Sequence, residues 1–296
     1  MKQRFEWQPI GFLFIAPAVI LFAIFVVVPI FVSLFLSFTR YDVLHAPVLV
    51  GLDNYRDLLF HDPRFWKAFW NTVLYMLGVV PTGLTISLLL AVALEELTRG
   101  KELFKALYFI PSVTSVVALS VVWKWLFAGE KFGLINYALI RLGFQPIDWL
   151  LSPTWTLPAI IIMSVWGGLG YNMVLLSSGL ATIPQTLYEA AKVDGAGWWA
   201  RFWHITLPML KPTLVFVVAV SVINSFQVFD QAYIMTSGTG EGVGGVLDSA
   251  LTLVAYLYDQ GFGNFHMGYA SAIAYLIFGC VLCVTLMNNR FLRTRE

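Results

Sequence analysis

Long apolar segments limit what this sequence can fold into more than any other feature. A helix that crosses a lipid bilayer needs about 20 mostly apolar residues. Six segments meet this requirement: Ile10–Phe38, Phe69–Leu94, Leu103–Trp123, Leu157–Leu180, Thr213–Thr236 and Met267–Asn288. Because lipid cannot hydrogen-bond to an exposed backbone, single spanning segments form helices. The sequence therefore predicts an all-α membrane protein with six transmembrane helices.

The low charge content agrees with a membrane location. Charged residues make up 12% of the chain, against about 25% in soluble domains. The net charge of +1 favours no nucleic-acid partner. Lys2 and Arg4 precede an uncharged run from Trp7 to Thr39, which is longer than the roughly 7–15 apolar residues of a cleaved signal peptide. We therefore expect the first span to be retained.

Lysine and arginine residues set the expected orientation, because loops on the cytoplasmic side of a membrane carry an excess of them. With the N-terminus inside, the cytoplasmic segments carry eleven of the 18: Lys2, Arg4, Arg99, Lys101, Lys105, Lys192, Arg201, Lys211, Arg290, Arg293 and Arg295. The remaining residues are spread over longer outer loops. Both termini are therefore predicted to lie in the cytoplasm.

Two regions are expected along the chain. Residues 1–68 form the first span and the first outer loop, and residues 69–296 form a core of five spans. The core contains a polar segment at residues 184–211, between spans four and five, which is called the polar insert below. In the predicted orientation this insert faces the cytoplasm.

The polar insert has the pattern of two short helices joined by a turn. Thr186-x-x-Glu189 fits a capping box, which predicts a helix that begins near Thr186. Gly195 permits a sharp turn. Four aromatic residues then recur at helical spacing: Trp198, Trp199, Phe202 and Trp203. We expect Pro208 and Pro212 to end this second helix before span five, so that the insert lies outside the bilayer.

Three roles for the insert remain open from its residues alone. Glu189 can serve only as a helix cap. The aromatic face can rest on lipid as an interfacial amphipathic helix. Alternatively, its side chains can anchor a cytosolic protein, because aromatic residues are common anchors at protein interfaces.

A specific motif lies within the insert. The spacing E-A-A-x3-G-x9-I-x-L-P is present at Glu189, Ala190, Ala191, Gly195, Ile205, Leu207 and Pro208. It resembles the signature loop of the membrane subunits of binding-protein-dependent ABC importers. Other segments resemble the carbohydrate-uptake branch, of the maltose and glycerol-3-phosphate permease type: Gly51–Tyr55, Trp70–Thr72, Arg99–Lys101, Phe109–Pro111, Trp123–Phe127 and Phe226–Thr236. One departure is the Ser237–Gly242 turn, where this branch often has Gly-Gly-Pro.

The resemblance implies a type I ABC importer permease fold, in which the insert forms a coupling helix against a separate ATPase. It implies that the coupling residues are Glu189, Ala190, Ala191, Asp194, Gly195, Trp198, Phe202, Ile205, Leu207 and Pro208. Glu189 would face a basic group of the ATPase, Gly195 would form the turn, and Trp198 and Phe202 are our inferred hydrophobic anchors.

The resemblance also implies the other components of the importer. The expected partners are a second permease subunit, two ATPase subunits, a periplasmic or lipid-anchored solute-binding protein, a sugar and the lipid bilayer. The expected location is the cytoplasmic membrane of a bacterium or archaeon. The chain has no GxxxxGK[ST] motif for phosphate binding, so we expect no catalysis and no cofactor on it, with ATP and Mg held by the ATPase. Gly240-x-Gly242-x-x-Gly245 is interpreted as a flexible loop.

Polar residues within spans four and five are candidates for the solute pathway. On span five, Asn224, Gln227 and Gln231 follow i, i+3, i+7 spacing, and Asp230 lies beside them. The candidates on span four are Trp166, Tyr171 and Asn172. Aromatic and amide groups suit sugars, and the scarcity of cations within the spans disfavours a strongly anionic solute. The alternative is that the amides join helices to each other and that Asp230 is only wetted.

Two further function classes compete with an importer permease. An ion-coupled secondary transporter usually has internal repeats and charged residues at the centre of the membrane; only Asp230 comes close, and no persuasive repeat is found. An intramembrane enzyme is disfavoured because HExxH, GxSxG and paired acids are missing from the spans.

Overall fold

The computed structural model describes residues 9–97, 99–129, 132–238 and 242–293. Lys2, Arg4, Lys131 and Arg295, which the orientation prediction uses, lie outside these ranges, as does Gly240 of the outer loop. Within them, the chain forms two compact units, one from residues up to His61 together with Leu257–Leu276, and one from Asp62–Tyr256 together with the residues from Ile277 onward.

The first unit begins with one long apolar helix. It consists of α1 (Pro9–Phe22), a π-helical turn (Ala23–Val27) and α2 (Val28–Ser37). Two short strands, β1 (Thr39–Arg40) and β2 (Val48–Leu49), pair antiparallel after it and lead to α3 (Asp53–Phe60). The amide of Asn54 donates to the carbonyl oxygens of Ser37 and Thr39, both at 2.9 Å, and so fixes α3 against the end of α2.

The later segments of the first unit pack against α2. They are the end of α13 (Leu253–Tyr258), a π-helical turn (Asp259–Gly263) and the start of α14 (Met267–Arg293). A Cβ atom at Gly268 would lie 2.0 Å from the carbonyl oxygen of Thr39, so only glycine permits this approach. The hydroxyl of Tyr275 donates to the carbonyl of Ile30 at 2.5 Å.

The second unit contains the remaining helices. In chain order they are α4 (Pro63–Glu95), α5 (Lys101–Val113), α6 (Val116–Leu126), α7 (Leu134–Arg141), α8 (Thr156–Ala181), α9 (Gln185–Val193), α10 (Trp198–Arg201), α11 (Leu207–Phe226) and α12 (Asp230–Thr236), followed by a 3-10 turn at Val246–Asp248. Its buried core joins α4, α8 and α11 through Ala91, Leu94, Met173, Leu176, Leu210 and Val217.

The helix α4 is the longest in the chain. It begins at Pro63 rather than at the predicted Phe69, because Asp62 caps it by accepting a hydrogen bond from the backbone of Phe65 at 3.0 Å. Proline is favoured in a first helical turn, because the N–H groups of that turn have no acceptor within the helix and proline has no N–H.

Span three, predicted at Leu103–Trp123, is a bent pair of helices rather than one straight helix. The helices α5 and α6 meet at 94°. Thr114 and Ser115 have extended backbone angles between them, and Pro111 cannot donate to the preceding turn. In the described residues, five helices are long and apolar enough to cross a membrane, and the bent pair brings the number to six.

The predicted start of span five at Thr213, after a helix that ends at Pro208 and Pro212, was wrong. Pro208 and Pro212 do not end a helix, because α10 continues through a π-helical turn (Phe202–Thr206) into α11, so one helix runs from Trp198 to Phe226. In that turn the N–H of Leu207 bonds to the carbonyl of Phe202. The wider turn places Pro208 in a new first turn, where its missing N–H is tolerated.

Span five also ends earlier than predicted, at Phe226 rather than Thr236. The chain is not helical again until α12. Val228 in this break is buried, and its carbonyl, which has no place in a helix there, accepts a hydrogen bond from the hydroxyl of Thr252 at 2.9 Å. Non-helical backbone at membrane depth is tolerated where protein groups satisfy it in this way.

Candidate functional site

A cavity of about 340 Å³, lined by apolar residues and by uncharged polar ones, lies among α4, the bent pair α5–α6, α8, α11 and α12. Its polar lining comes from Tyr75, Ser112, Thr114, Ser164, Tyr171, Asn172, Ser221, Asn224, Ser225 and Gln231. Among the described residues, none with an acidic or basic side chain lines it. The cavity therefore offers hydroxyl, amide and aromatic groups, which can hydrogen-bond to hydroxyl groups and pack against a ring.

Four of the predicted pathway residues meet at this cavity: Tyr171, Asn172, Asn224 and Gln231. Asn224, Gln227 and Gln231 do not share one helix face, contrary to the prediction, because α11 ends at Phe226 and Gln231 belongs to α12. The break between the two helices, rather than helical periodicity, brings Asn224 and Gln231 to the same cavity.

The other three predicted pathway residues lie elsewhere. Gln227 and Asp230 are exposed and do not line the cavity. Trp166 is also exposed, and its ring packs edge-on against Trp123, with ring centroids 5.6 Å apart.

Several hydrogen bonds hold the cavity walls in place. The hydroxyl of Tyr75, a buried residue of α4, accepts a hydrogen bond from the amide of Gln231 at 3.1 Å. The hydroxyl of Ser112 donates to the carbonyl of Gly167 at 2.9 Å and accepts from the backbone N–H of Tyr171 at 3.1 Å. These bonds join α12 to α4 and the bent pair to α8.

Sequence reasoning missed six polar lining residues: Tyr75, Ser112, Thr114, Ser164, Ser221 and Ser225. Hydroxyl groups within apolar spans often only join helices, so their presence alone does not indicate a cavity. The bend after Val113 positions Ser112 at the cavity, and the sequence gives no sign of that bend beyond Pro111.

The polar insert forms two helices and a tight turn. The helix α9 begins at Gln185 after Pro184, and no side chain caps it, so the predicted capping box at Thr186 and Glu189 is absent. Thr186 already lies within the first helical turn, where it cannot act as a cap. Gly195 has φ +76°, in the left-handed region that favours glycine, and the N–H of Ala196 bonds to the carbonyl of Ala191 at 2.8 Å.

The acidic end of the insert is exposed. Glu189, Ala190, Asp194, Gly195 and Pro208 are exposed, while Ala191, Ile205 and Leu207 are half-buried. Among the residues that the structure describes, no cation lies within ion-pair distance of Glu189.

The aromatic residues of the insert divide into an inner and an outer pair. Phe202 is only 9% exposed and stacks against Trp198, with ring centroids 5.5 Å apart and an angle of 5° between the planes. Trp198 is half-buried, and its indole N–H donates to the carboxylate of Glu96 at 2.5 Å. Trp199 and Trp203, by contrast, are 65% and 56% exposed. The inferred anchors Trp198 and Phe202 thus contact their own chain.

Comparison with known proteins places these features in context. The family described as "Binding-protein-dependent transport system inner membrane component" matches residues 83–295. The "Probable ABC transporter permease protein YesP" of Bacillus subtilis (strain 168) is 38% identical over 94% of this chain and 88% of its own length. The "Lactose transport system permease protein LacF" of Rhizobium radiobacter is 37% identical over 97% of this chain and 94% of its own.

Solved structures share the fold. A membrane chain of a bacterial ABC transporter "involved in the import of the acidic polysaccharide alginate" superposes with a TM-score of 0.84, over 97% of this chain and 96% of that chain, at 22% identity. The likeness confirms the predicted permease fold, with its insert between spans four and five.

Proposed function

Because this chain belongs to the family of binding-protein-dependent transport system inner membrane components, we propose that it is a permease subunit of an ATP-driven importer of sugars or sugar-like solutes. It forms half of the translocation pathway and couples that pathway to a separate ATPase. One observation carries this proposal. The second unit contains a cavity lined by uncharged side chains among its described residues, and the same unit presents the exposed E-A-A insert.

The solute is a neutral sugar, and Tyr171, Asn172, Asn224 and Gln231 contact it. Amide and hydroxyl groups supply donors and acceptors to sugar hydroxyls, and Tyr171 supplies an aromatic surface. A charged solute would lose its hydration in this cavity without meeting an opposite charge, and uncompensated burial of a charge is costly. A pathway role for Trp166, Gln227 and Asp230 stays a prediction, because they lie outside the cavity lining.

The insert is the contact surface for the ATPase. Exposed Glu189 meets a basic group of that partner, and Gly195 shapes the turn. Trp199 and Trp203 supply exposed aromatic area next to the inferred anchors Trp198 and Phe202. Large aromatic side chains are frequent interface anchors.

The remaining components follow from this role. The complex contains a second permease subunit, two ATPase subunits that hold ATP and Mg, and a periplasmic or lipid-anchored solute-binding protein. This chain performs no catalysis. It lies in the cytoplasmic membrane with both termini in the cytoplasm, and residues 1–68 and 69–296 form its two regions.

Purification from native membranes tests this function. A tag on this chain is expected to recover a second multi-span subunit and an ATPase in mild detergent, and Glu189→Lys is expected to lose the ATPase while keeping the second permease. Elution of the tagged wild-type chain without any ATPase would contradict the proposal and would favour the ion-coupled alternative.

A further inference from the structure

The helix α4 contacts both the insert and the cavity. Glu96, the C-cap residue of α4, accepts the indole hydrogen bond of Trp198 at 2.5 Å. Within the helix, Tyr75 lines the cavity and bonds to Gln231 at 3.1 Å. At 1.5 Å per residue, roughly 30 Å of helix separates these two contacts. One element therefore connects the insert to the cavity.

The Glu96–Trp198 bond joins the end of α4 to the insert across an open cleft. The end of α4 and the insert together line a cleft of about 340 Å³. The neighbouring Glu95 is occupied by Lys101, with Lys105 at 3.6 Å. An indole has a single donor, so this bond uses the only hydrogen that Trp198 can donate.

Trp198 is itself fixed to the span that follows it. It stacks in parallel on Phe202, which is buried at the start of the π-helical turn. The helix then continues without a break to Phe226. Any displacement of α10 therefore reaches α11 through the backbone and α4 through Glu96.

We propose that Glu96 and Trp198 are positioning residues that fasten the polar insert to the C-terminal end of α4. A movement of the insert driven by the ATPase is passed along α4 to Tyr75, and so to the Gln231 side of the cavity. This inference rests on the proposed function, since it requires an ATPase that moves the insert. It assigns Trp198 to transmission within the chain rather than to the surface that touches the partner.

The inference is tested with the complete transporter reconstituted in vesicles. The measured quantity is the ratio of solute transported to ATP hydrolysed. Glu96→Leu and Trp198→Phe are each expected to lower this ratio about tenfold, comparable to losing one hydrogen bond to a charged group. Phenylalanine preserves the stack on Phe202, so that variant changes little else. Glu96→Gln is expected to keep most of the ratio, because its amide oxygen still accepts from the indole. Glu102→Leu, at an exposed acid of α5, is the matched control.

The double variant separates transmission from a general structural role. If the bond acts as proposed, Glu96→Leu combined with Trp198→Phe is no worse than either change alone. Losses that multiply, or a Glu96→Gln variant as impaired as Glu96→Leu, would overturn the inference. Recovery of the ATPase is measured in parallel for each variant and for the wild-type chain. A wild-type chain that recovers no ATPase would contradict the proposed function rather than this inference.

Discussion

The cavity and the insert belong to the same unit but have opposite chemistry. The described residues that line the cavity are uncharged, and some of its polar groups bond to one another, as Tyr75 does to Gln231. The insert presents the exposed carboxylate of Glu189, which has no ion-pair partner in the described part of the chain, and two exposed tryptophans. A solute must be released after it is bound, whereas a partner protein must be held throughout the cycle. Under the proposed function, this difference would correspond to weak, neutral contacts with the solute and to strong, charged and aromatic contacts with the ATPase.

Reversing the charge of the insert is expected to have the largest effect. Glu189→Lys should abolish ATP-driven uptake, since like charges facing each other at an interface cost several kcal/mol, about 3 or more. The side chain is exposed, so the amount of chain in the membrane should not change. Uptake into vesicles and immunoblots of membranes measure the two effects, and Glu102→Lys is the matched control. Normal uptake by Glu189→Lys would remove the insert from the coupling surface.

The turn of the insert comes next. Gly195→Val should lower ATPase recovery and uptake roughly five- to tenfold, because a left-handed backbone costs a side-chain-bearing residue about 1–2 kcal/mol. Since no described atom lies within 4 Å of a Cβ placed there, the expected penalty comes from backbone strain rather than from a clash at Cβ. Gly195→Asn should be close to wild type, because asparagine tolerates this region. Equal defects in the two variants would contradict the strain argument. They would mean that any side chain at position 195 collides with the partner.

Substitutions in the cavity should have intermediate effects of a different kind. Asn224→Ala and Gln231→Ala should each raise the sugar concentration for half-maximal uptake about fivefold, as expected for one lost hydrogen bond, with ATPase recovery unchanged. Gln227→Ala should have a smaller effect, because Gln227 does not line the cavity. Dose–response curves of uptake measure this. A larger effect of Gln227→Ala would favour the helical-face prediction over the cavity.

The smallest effect is expected at the charged end of α4. Lys105 lies 3.6 Å from Glu95 at a partly exposed pair, and such pairs contribute about 1 kcal/mol or less. Lys105→Gln should therefore leave uptake and thermal stability within measurement error. A marked loss would show that charge near the insert matters in general, rather than at Glu189 in particular.

The spans and the turn of the insert could be predicted from the sequence. Long apolar segments indicate helices whatever their neighbours are, and Gly195 sits where a left-handed residue is needed. The break after Phe226 could not be predicted, since no glycine or proline lies between Thr213 and Thr236. It depends on the hydroxyl of Thr252, which satisfies the carbonyl of Val228.

The inward orientation of Trp198 could not be predicted from the sequence either. Trp198 and Trp199 are adjacent tryptophans, and nothing local decides which one turns inward. Glu96 decides it, from a position about a hundred residues earlier in the chain. Distant contacts of this kind account for most of what the sequence pattern did not predict in the site.

The central claim, ATP-driven import of a neutral sugar, is tested most directly by an uptake assay. The transporter is purified through a tag on this chain and reconstituted in vesicles with its solute-binding protein. The account predicts that neutral sugars accumulate when ATP is supplied to the ATPase side, without any ion gradient, and that sugars carrying a carboxylate do not. Uptake that follows an imposed proton or sodium gradient and ignores ATP would contradict it.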